Sequence, residues 1–267
     1  MVSHIGTYRR ELPVSLERLY ENAIDWEHLP YLHRSTFARI ERLDSDESGF
    51  RARLWTHPYD ERRSFVIELR LERDCGRWIT TTLEGPGTGT EIWTHAFAIG
   101  ERATMVVVDF FVRGAVGRSS PTTTDFYRSL YARLYDEDVW MMTERQRELD
   151  RRRARGAADS GPVTLGHVDE LRRRLPMDVE FEGRPFRLVE LEGSFIAYST
   201  ICPHMLGPLA APSDGGATAE CPWHGYRFDI RTRQCVSGAE CRLAPAPAVF
   251  IGPDGSVTLA DRRDHRP

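Results

Sequence analysis

Residues 4 to 12 alternate as an extended strand, and Pro13 then opens a helical period through Leu16, Leu19, Tyr20 and Ile24. From 47 to 113 the period falls to two. Five stretches, FRARLWTH, SFVIELRLE, RWITTTLEG, TEIWTHAFAI and TMVVVDFFV, are separated by turns rich in Asp, Gly and Glu, so consecutive strands must pair as an antiparallel meander. Their alternation is expected to set Trp55, Phe65, Ile67, Leu69, Trp93, Phe97 and the Phe110/Phe111 pair along a concave face. Past Ser120-Pro121, residues 121 to about 153 read as one long amphipathic helix, with Phe126, Leu130, Leu134, Asp138 and Met142 in a single stripe.

Strand, helix, meander and long helix is the order of a helix-grip fold, in which the last helix lies across a curved sheet and encloses an apolar cavity. The order resembles that of the START-like superfamily. A charged, Gly- and Pro-terminated tract then reads as a linker. Beyond it come short strands punctuated by Glu-Gly at 182 and 192, and a closing hairpin about Pro253-Asp254-Gly255. The expected class is α+β. An N-terminal helix-grip domain (1–153) with an antiparallel sheet and a long C-terminal helix is joined by a linker (154–162) to a small all-β domain (163–267).

Composition narrows the function classes. The 267 residues suffice for two domains, and 28% charged with 40% hydrophobic residues is ordinary for a globular protein. A net charge of −4 gives no case for nucleic acid, and every basic residue other than His is Arg. The N-terminus MVSHIGTYRRELPV lacks an apolar signal core and no membrane-length apolar run follows, so a cytoplasmic location and no membrane association are expected. Cys75 reads as a buried small hydrophobe, and Cys235 and Cys241 as a free pair that could approach one another.

The chemistry is concentrated in ICPHMLGPLAAPSDGGATAECPWHG, where Cys202 and His204 are followed, after sixteen residues, by Cys221 and His224. A [2Fe-2S] cluster with two thiolates on one iron and two imidazoles on the other needs one Cys and one His from each of two loops. Neutral imidazoles leave such a cluster less negative, raising its potential to roughly −150 to +300 mV against about −400 mV for an all-thiolate plant-type cluster. A tetrahedral zinc site is the rival, but zinc modules usually group like ligands, whereas each loop here mixes one of each. Pro203 and Pro222 stiffen the loops, Gly207 and Gly225 admit close backbone approach, and Trp223 and Tyr226 can shield the site from water. From about Val163 onward the chain resembles the Rieske domains of ferredoxins and ring-hydroxylating oxygenases. The membrane cytochrome subtype has extra cysteines at the positions of Gly207 and Trp223; their absence implies the soluble subtype.

A second constellation, Asn22-x2-Asp25-x2-His28-x4-His33, lies in the first helical region. Histidines five apart on an ideal helix point about 140° apart, so both can bind one metal only if Pro30 distorts the helix. Asp138 lies in the apolar stripe of the long helix, where a carboxylate is costly to bury unless paired or metal-bound. Asp136 and Glu137 are its competitors, and both lie off the stripe. The spacing and the segment around Asp138 resemble the mononuclear iron motif of Rieske non-haem iron oxygenases. That resemblance implies Fe(II) held by His28, His33 and Asp138, with Asp25 bridging an iron-bound His to His204 or His224 of the cluster.

The resemblance implies an oxygenase. It would take electrons from a ferredoxin or flavin reductase and use O2 to hydroxylate or oxidatively demethylate a small, apolar or aromatic substrate, with the homotrimer as the assembly usual in the family. Two features depart from the family: the domain order is reversed, and the catalytic domain is compact. The alternative from another class is an electron-transfer or ligand-sensing protein whose START-like domain carries no catalytic iron.

Overall fold

The computed structural model describes residues 2–114, 121–155, 161–212 and 216–261. The chain forms two compact units, Met1–Gln146 and Arg147–Pro267. Most of the expected 154–162 linker lies outside the described residues.

In the first unit, β1 (Val2–Leu12) leads to α1 (Leu16–Ile24), the single turn α2 (Leu29–Leu32), and then β2 (Phe37–Asp46), β3 (Gly49–Thr56), β4 (Ser64–Glu72), β5 (Arg77–Glu84), β6 (Glu91–Gly100) and β7 (Ala103–Arg113). These strands make one antiparallel sheet, ordered β1-β7-β6-β5-β4-β3-β2, so the first strand pairs with the last. Helix α3 (Pro121–Ala154) packs on this sheet. Phe110 stacks on Tyr127 (5.2 Å) and meets Tyr131 (5.3 Å), Tyr8 stacks on Tyr135 (6.1 Å), and Thr124 Oγ1 donates to the Ile5 carbonyl (2.7 Å). This is a helix-grip unit, a long helix lying across an antiparallel sheet.

Helix α1 starts because the Ser15 hydroxyl accepts from the Arg18 N–H (3.3 Å), satisfying one of the orphan donors of its first turn. It buries Leu19 and Tyr20 against the sheet, with Tyr20 edge-on to Trp78 at 6.0 Å. Buried Arg18 is paired with Glu17 and Glu21, and Glu21 is held in turn by Arg145 (2.7 Å).

Three expectations need correction. Strand β2 was not foreseen. It is an edge strand, FARIERLDSD, largely exposed, and its charges blunt the free edge rather than alternate with core residues. The aromatic face is also half reassigned. The pairs Leu54↔Phe65, Ala52↔Ile67 and Phe50↔Leu69 share the concave side, while Trp55, Trp93, Phe97 and Phe111 have the opposite parity. Trp55 donates to the Glu61 carbonyl (3.1 Å) under Arg39; Trp93 packs on Phe111 (5.0 Å) beneath Arg77; and Phe97 is half exposed. On the long helix, Phe126 is exposed, and the buried residues of that face are Tyr135, Asp138 and Met142.

The second unit is all-β apart from the one-turn α4 (Val168–Arg172). Strands β9 (Met177–Phe181), β10 (Arg184–Leu191) and β11 (Ser194–Ser199) form one antiparallel sheet; β8 (Val163–His167), β14 (Ala248–Ile251) and β15 (Ser256–Ala260) form another; β12 (Thr218–Glu220) pairs with β13 (Arg227–Asp229). Both Glu-Gly turns are two-residue hairpin loops with positive φ at each position: 52° and 66° at 182–183, 52° and 76° at 192–193. That geometry matches the twist of the strands it joins. The hairpin about Asp254-Gly255 is also present. The core collects Leu171, Phe181, Phe186, Leu188, Val257 and Leu259. Cys75 is exposed, not buried, because it ends a one-turn helical connection on the surface.

Candidate metal centres

The Cys/His loops of the second unit have the same backbone geometry. The Cys202 N–H donates to the Gly207 carbonyl (2.8 Å) and the Leu206 N–H returns to the Cys202 carbonyl (3.1 Å). In the other loop, the Cys221 N–H donates to Tyr226 (2.8 Å) and the Gly225 N–H to Cys221 (2.9 Å). The fifth residue of each loop is left-handed, with φ +66° at both Leu206 and Gly225. A glycine fits there without cost; Leu206 adopts a conformation that costs a β-carbon-bearing residue on the order of 1 kcal/mol.

These loops bring the four expected residues together. Cys202 and Cys221 are free and buried, and the rings of His204 and His224 lie 4.5 Å apart, edge to face. Tyr226 stacks on His204 at 4.7 Å and Trp223 is wholly buried. The hydrogen bond from the Cys202 thiol holds the Cys221 thiol down at about 5 against the effect of burial, with His224 contributing in the same direction. The same contact, with burial, pushes Cys202 up. One sulfur is thus poised as thiolate, the form that ligates metal. The donor set, two sulfurs from one position of each loop and two imidazoles from the other, fits a [2Fe-2S] cluster.

Gly207 closes this site. A β-carbon there would lie 2.7 Å from the Trp223 ring and 2.9 Å from Cys221 Sγ, and the buried indole has no room to retreat. Gly207→Ala is therefore expected to destabilise the second unit by about 1–3 kcal/mol and to lower cluster loading, read as visible absorbance per protein. Unchanged absorbance and melting temperature would refute this.

In the first unit the helix is broken ahead of the two histidines rather than kinked between them. Helix α1 ends at Asp25; His28 and His33 cap the two ends of α2, and Pro30 sits in its first turn, where a missing N–H costs nothing. Standing at the two ends of this single turn, with His33 already out of helical backbone geometry (φ −96°, ψ 36°), both rings turn inward. His28 Nε2 lies 3.2 Å from His33 Nε2, and Asp138 Oδ1 lies 3.5 Å and 3.0 Å from these two nitrogens. All three residues are buried, and their donor atoms fall within 4.8 Å of one another. Two bare imidazole lone pairs at that separation repel, so the arrangement calls for a proton or a cation among the three.

Asn22 donates to Asp138 Oδ1 (3.0 Å), and the other ring nitrogen of His33 meets Glu137 Oε2 at 2.6 Å. Asp25 Oδ2 stands 3.4 Å from His28 Nδ1. Burial alone would lower His33 and raise Asp138. The hydrogen bond and charge between them, with Glu137 acting on His33, outweigh it, so His33 is raised and Asp138 lowered. Of the competitors, Asp136 pairs with Arg10 on the surface (2.6 Å), and Glu137 orients a histidine. Sequence reasoning assigned no role to Asn22, although it opens the spaced motif.

The three donors lie on the wall of a cavity of about 710 Å³ between the sheet and the helices, also lined by Phe50, Leu54, Phe65, Ile67 and Trp78.

The fold and the loop geometry of the second unit define a Rieske-type iron-sulfur module. Residues 161–247 match the family described as the Rieske [2Fe-2S] domain. The ferredoxin component of the p-cumate 2,3-dioxygenase system of Pseudomonas putida is 33% identical over 101 residues, covering 36% of this chain and 78% of that protein. Apoptosis-inducing factor 3 of Mus musculus is 34% identical over 74 residues, 28% of this chain but only 12% of that protein. Through its second unit the chain belongs to the Rieske [2Fe-2S] family. Norcoclaurine synthase of Thalictrum flavum resembles the other half, with 13% identity, a TM-score of 0.43, and coverage of 54% of this chain and 88% of that one. Among the described residues no helix is long and apolar enough to cross a membrane.

Proposed function

We propose that the chain is a Rieske-type non-haem iron oxygenase. Its cluster, held by Cys202, His204, Cys221 and His224, would take electrons from a ferredoxin or flavin reductase. The supporting observation is the convergence of His28, His33 and Asp138, buried, on the wall of a large apolar cavity. Two imidazoles and a carboxylate form the facial set that suits ferrous iron and leaves positions open. When bound, such an iron supplies dioxygen activation for hydroxylation or oxidative demethylation of a small organic molecule.

The chain's own residues perform the rest. Glu137 fixes the His33 ring so that Nε2 faces the site, Asn22 holds Asp138, and Asp25 flanks the far nitrogen of His28. Phe65, Ile67 and Trp78 give the cavity an apolar wall on which a small organic molecule can pack.

The likeness to a ferredoxin component favours a second reading, an electron carrier fused to a binding unit without catalytic iron. Metal content separates the two. Anaerobically reconstituted protein is expected to hold three irons and two acid-labile sulfides per chain, and His28→Ala to lose the third iron while keeping the cluster's visible spectrum. Two irons in the parent protein, or an unchanged count in His28→Ala, would favour the carrier.

A further inference from the structure

The cavity carries polar groups that neither the ligand set nor the packing uses. Helix α3 turns three phenols toward it. Tyr127 and Tyr135 lie on the same wall as Thr90 and Thr94, and Tyr131 makes ring contacts to Phe110 and Tyr135, with no hydrogen bond from its hydroxyl to another group among the described residues. A phenol is both donor and acceptor, so Tyr131 can bond a ligand oxygen inside an otherwise apolar chamber. At the rim, exposed Arg133 donates to Thr36 Oγ1 (3.1 Å), and Arg63 lines the same opening. Among the described residues no carboxylate lies within ion-pair distance of either guanidinium, in contrast to Arg10, Arg51, Arg53 and Arg77 of the same unit. The cavity's acidic groups are Asp25 and Asp138, beside the histidines. Arg133 precedes Asp138 by five residues, about 7.5 Å along the helix axis.

From this distribution of charge we infer that the cavity takes an apolar, ring-sized molecule bearing an anionic group, with Arg133 receiving the anion at the rim and Tyr131 hydrogen-bonding the body within. The inference rests on the reading of this cavity as the substrate site. A guanidinium offers a carboxylate or sulfonate two parallel donors, which fix orientation as well as adding affinity. A molecule anchored there turns its apolar end toward the three donor atoms and keeps its charge away from Asp25 and Asp138. A cationic ligand would meet the arginines first and be repelled.

The test uses two fluorescent probes of one skeleton, anilinonaphthalene sulfonate and the neutral N-phenylnaphthylamine, titrated into the full chain. Wild type is expected to bind both. Arg133→Gln should weaken the sulfonate about tenfold or more and shift the neutral probe less than about twofold, while Arg133→Lys recovers part of the loss. Thr80→Trp, which fills the chamber, should remove both signals in protein that still melts cooperatively. Equal losses for the two probes in Arg133→Gln, no loss for either, no binding by wild type, or full binding in folded Thr80→Trp would each overturn the inference. Iron content is measured on the same samples. Three irons in the parent protein with equal probe losses in Arg133→Gln sink this inference alone, whereas a missing third iron with the sulfonate-selective loss intact sinks the oxygenase reading alone.

Discussion

Cys221→Ala is expected to yield protein with no visible iron-sulfur absorbance and no acid-labile sulfide. A cluster with two thiolates on one iron cannot keep that iron with one, and Cys221 is the sulfur already poised as thiolate. The loss extends to folding. Cys202, Cys221, Trp223 and His224 are all buried, so losing the metal that would tie the two loops together leaves buried thiol and imidazole groups without their ligand bonds. A drop in stability of several kcal/mol, on the scale of losing a structural metal, is expected for the second unit. Cys75→Ala is the control: Cys75 is exposed and belongs to the other unit, so the spectrum should not change. Retained absorbance in Cys221→Ala would remove Cys221 from the ligand set.

What could be read from the chain follows the range of the interactions involved. The cluster loops were legible because coordination imposes a local requirement: one Cys and one His within a few residues, twice. The Glu-Gly turns were legible for the same reason, since a two-residue hairpin demands positive φ at both positions. Strand β2 was not, because an edge strand owes its place to its neighbour's hydrogen bonds and its exposed side chains carry no alternation. Trp55, Trp93, Phe97 and Phe111 were placed on the wrong face because aromatic residues suit either side of a sheet. Cross-strand register, a non-local fact, decides which side they take. The break between α1 and α2 was read as a kink. Pro30 marked the irregularity, but its depth depends on two rings turning toward a carboxylate more than a hundred residues away.

That same long-range geometry separates the roles of three consecutive acidic residues, and their substitution is expected to give three different results. Asp138→Ala should abolish the third iron, because its Oδ1 lies within 3.5 Å of both histidine Nε2 atoms and completes the one such donor set found among the described residues. Glu137→Gln should keep that iron but weaken it roughly 10–100-fold, the usual cost of losing a partner that orients a ligand imidazole, since Glu137 touches only the far nitrogen of His33. Asp136→Asn should leave iron affinity unchanged and cost no more than the exposed pair it makes with Arg10, about 0–1 kcal/mol of stability. Iron affinity by competition with a chelator, with thermal melting alongside, reads all three. If Glu137→Gln emptied the site while Asp138→Ala kept its iron, the ligand and orienting roles would have to be exchanged. If all three were neutral, the buried imidazole pair would need another cation, with a bridging proton as the simplest candidate.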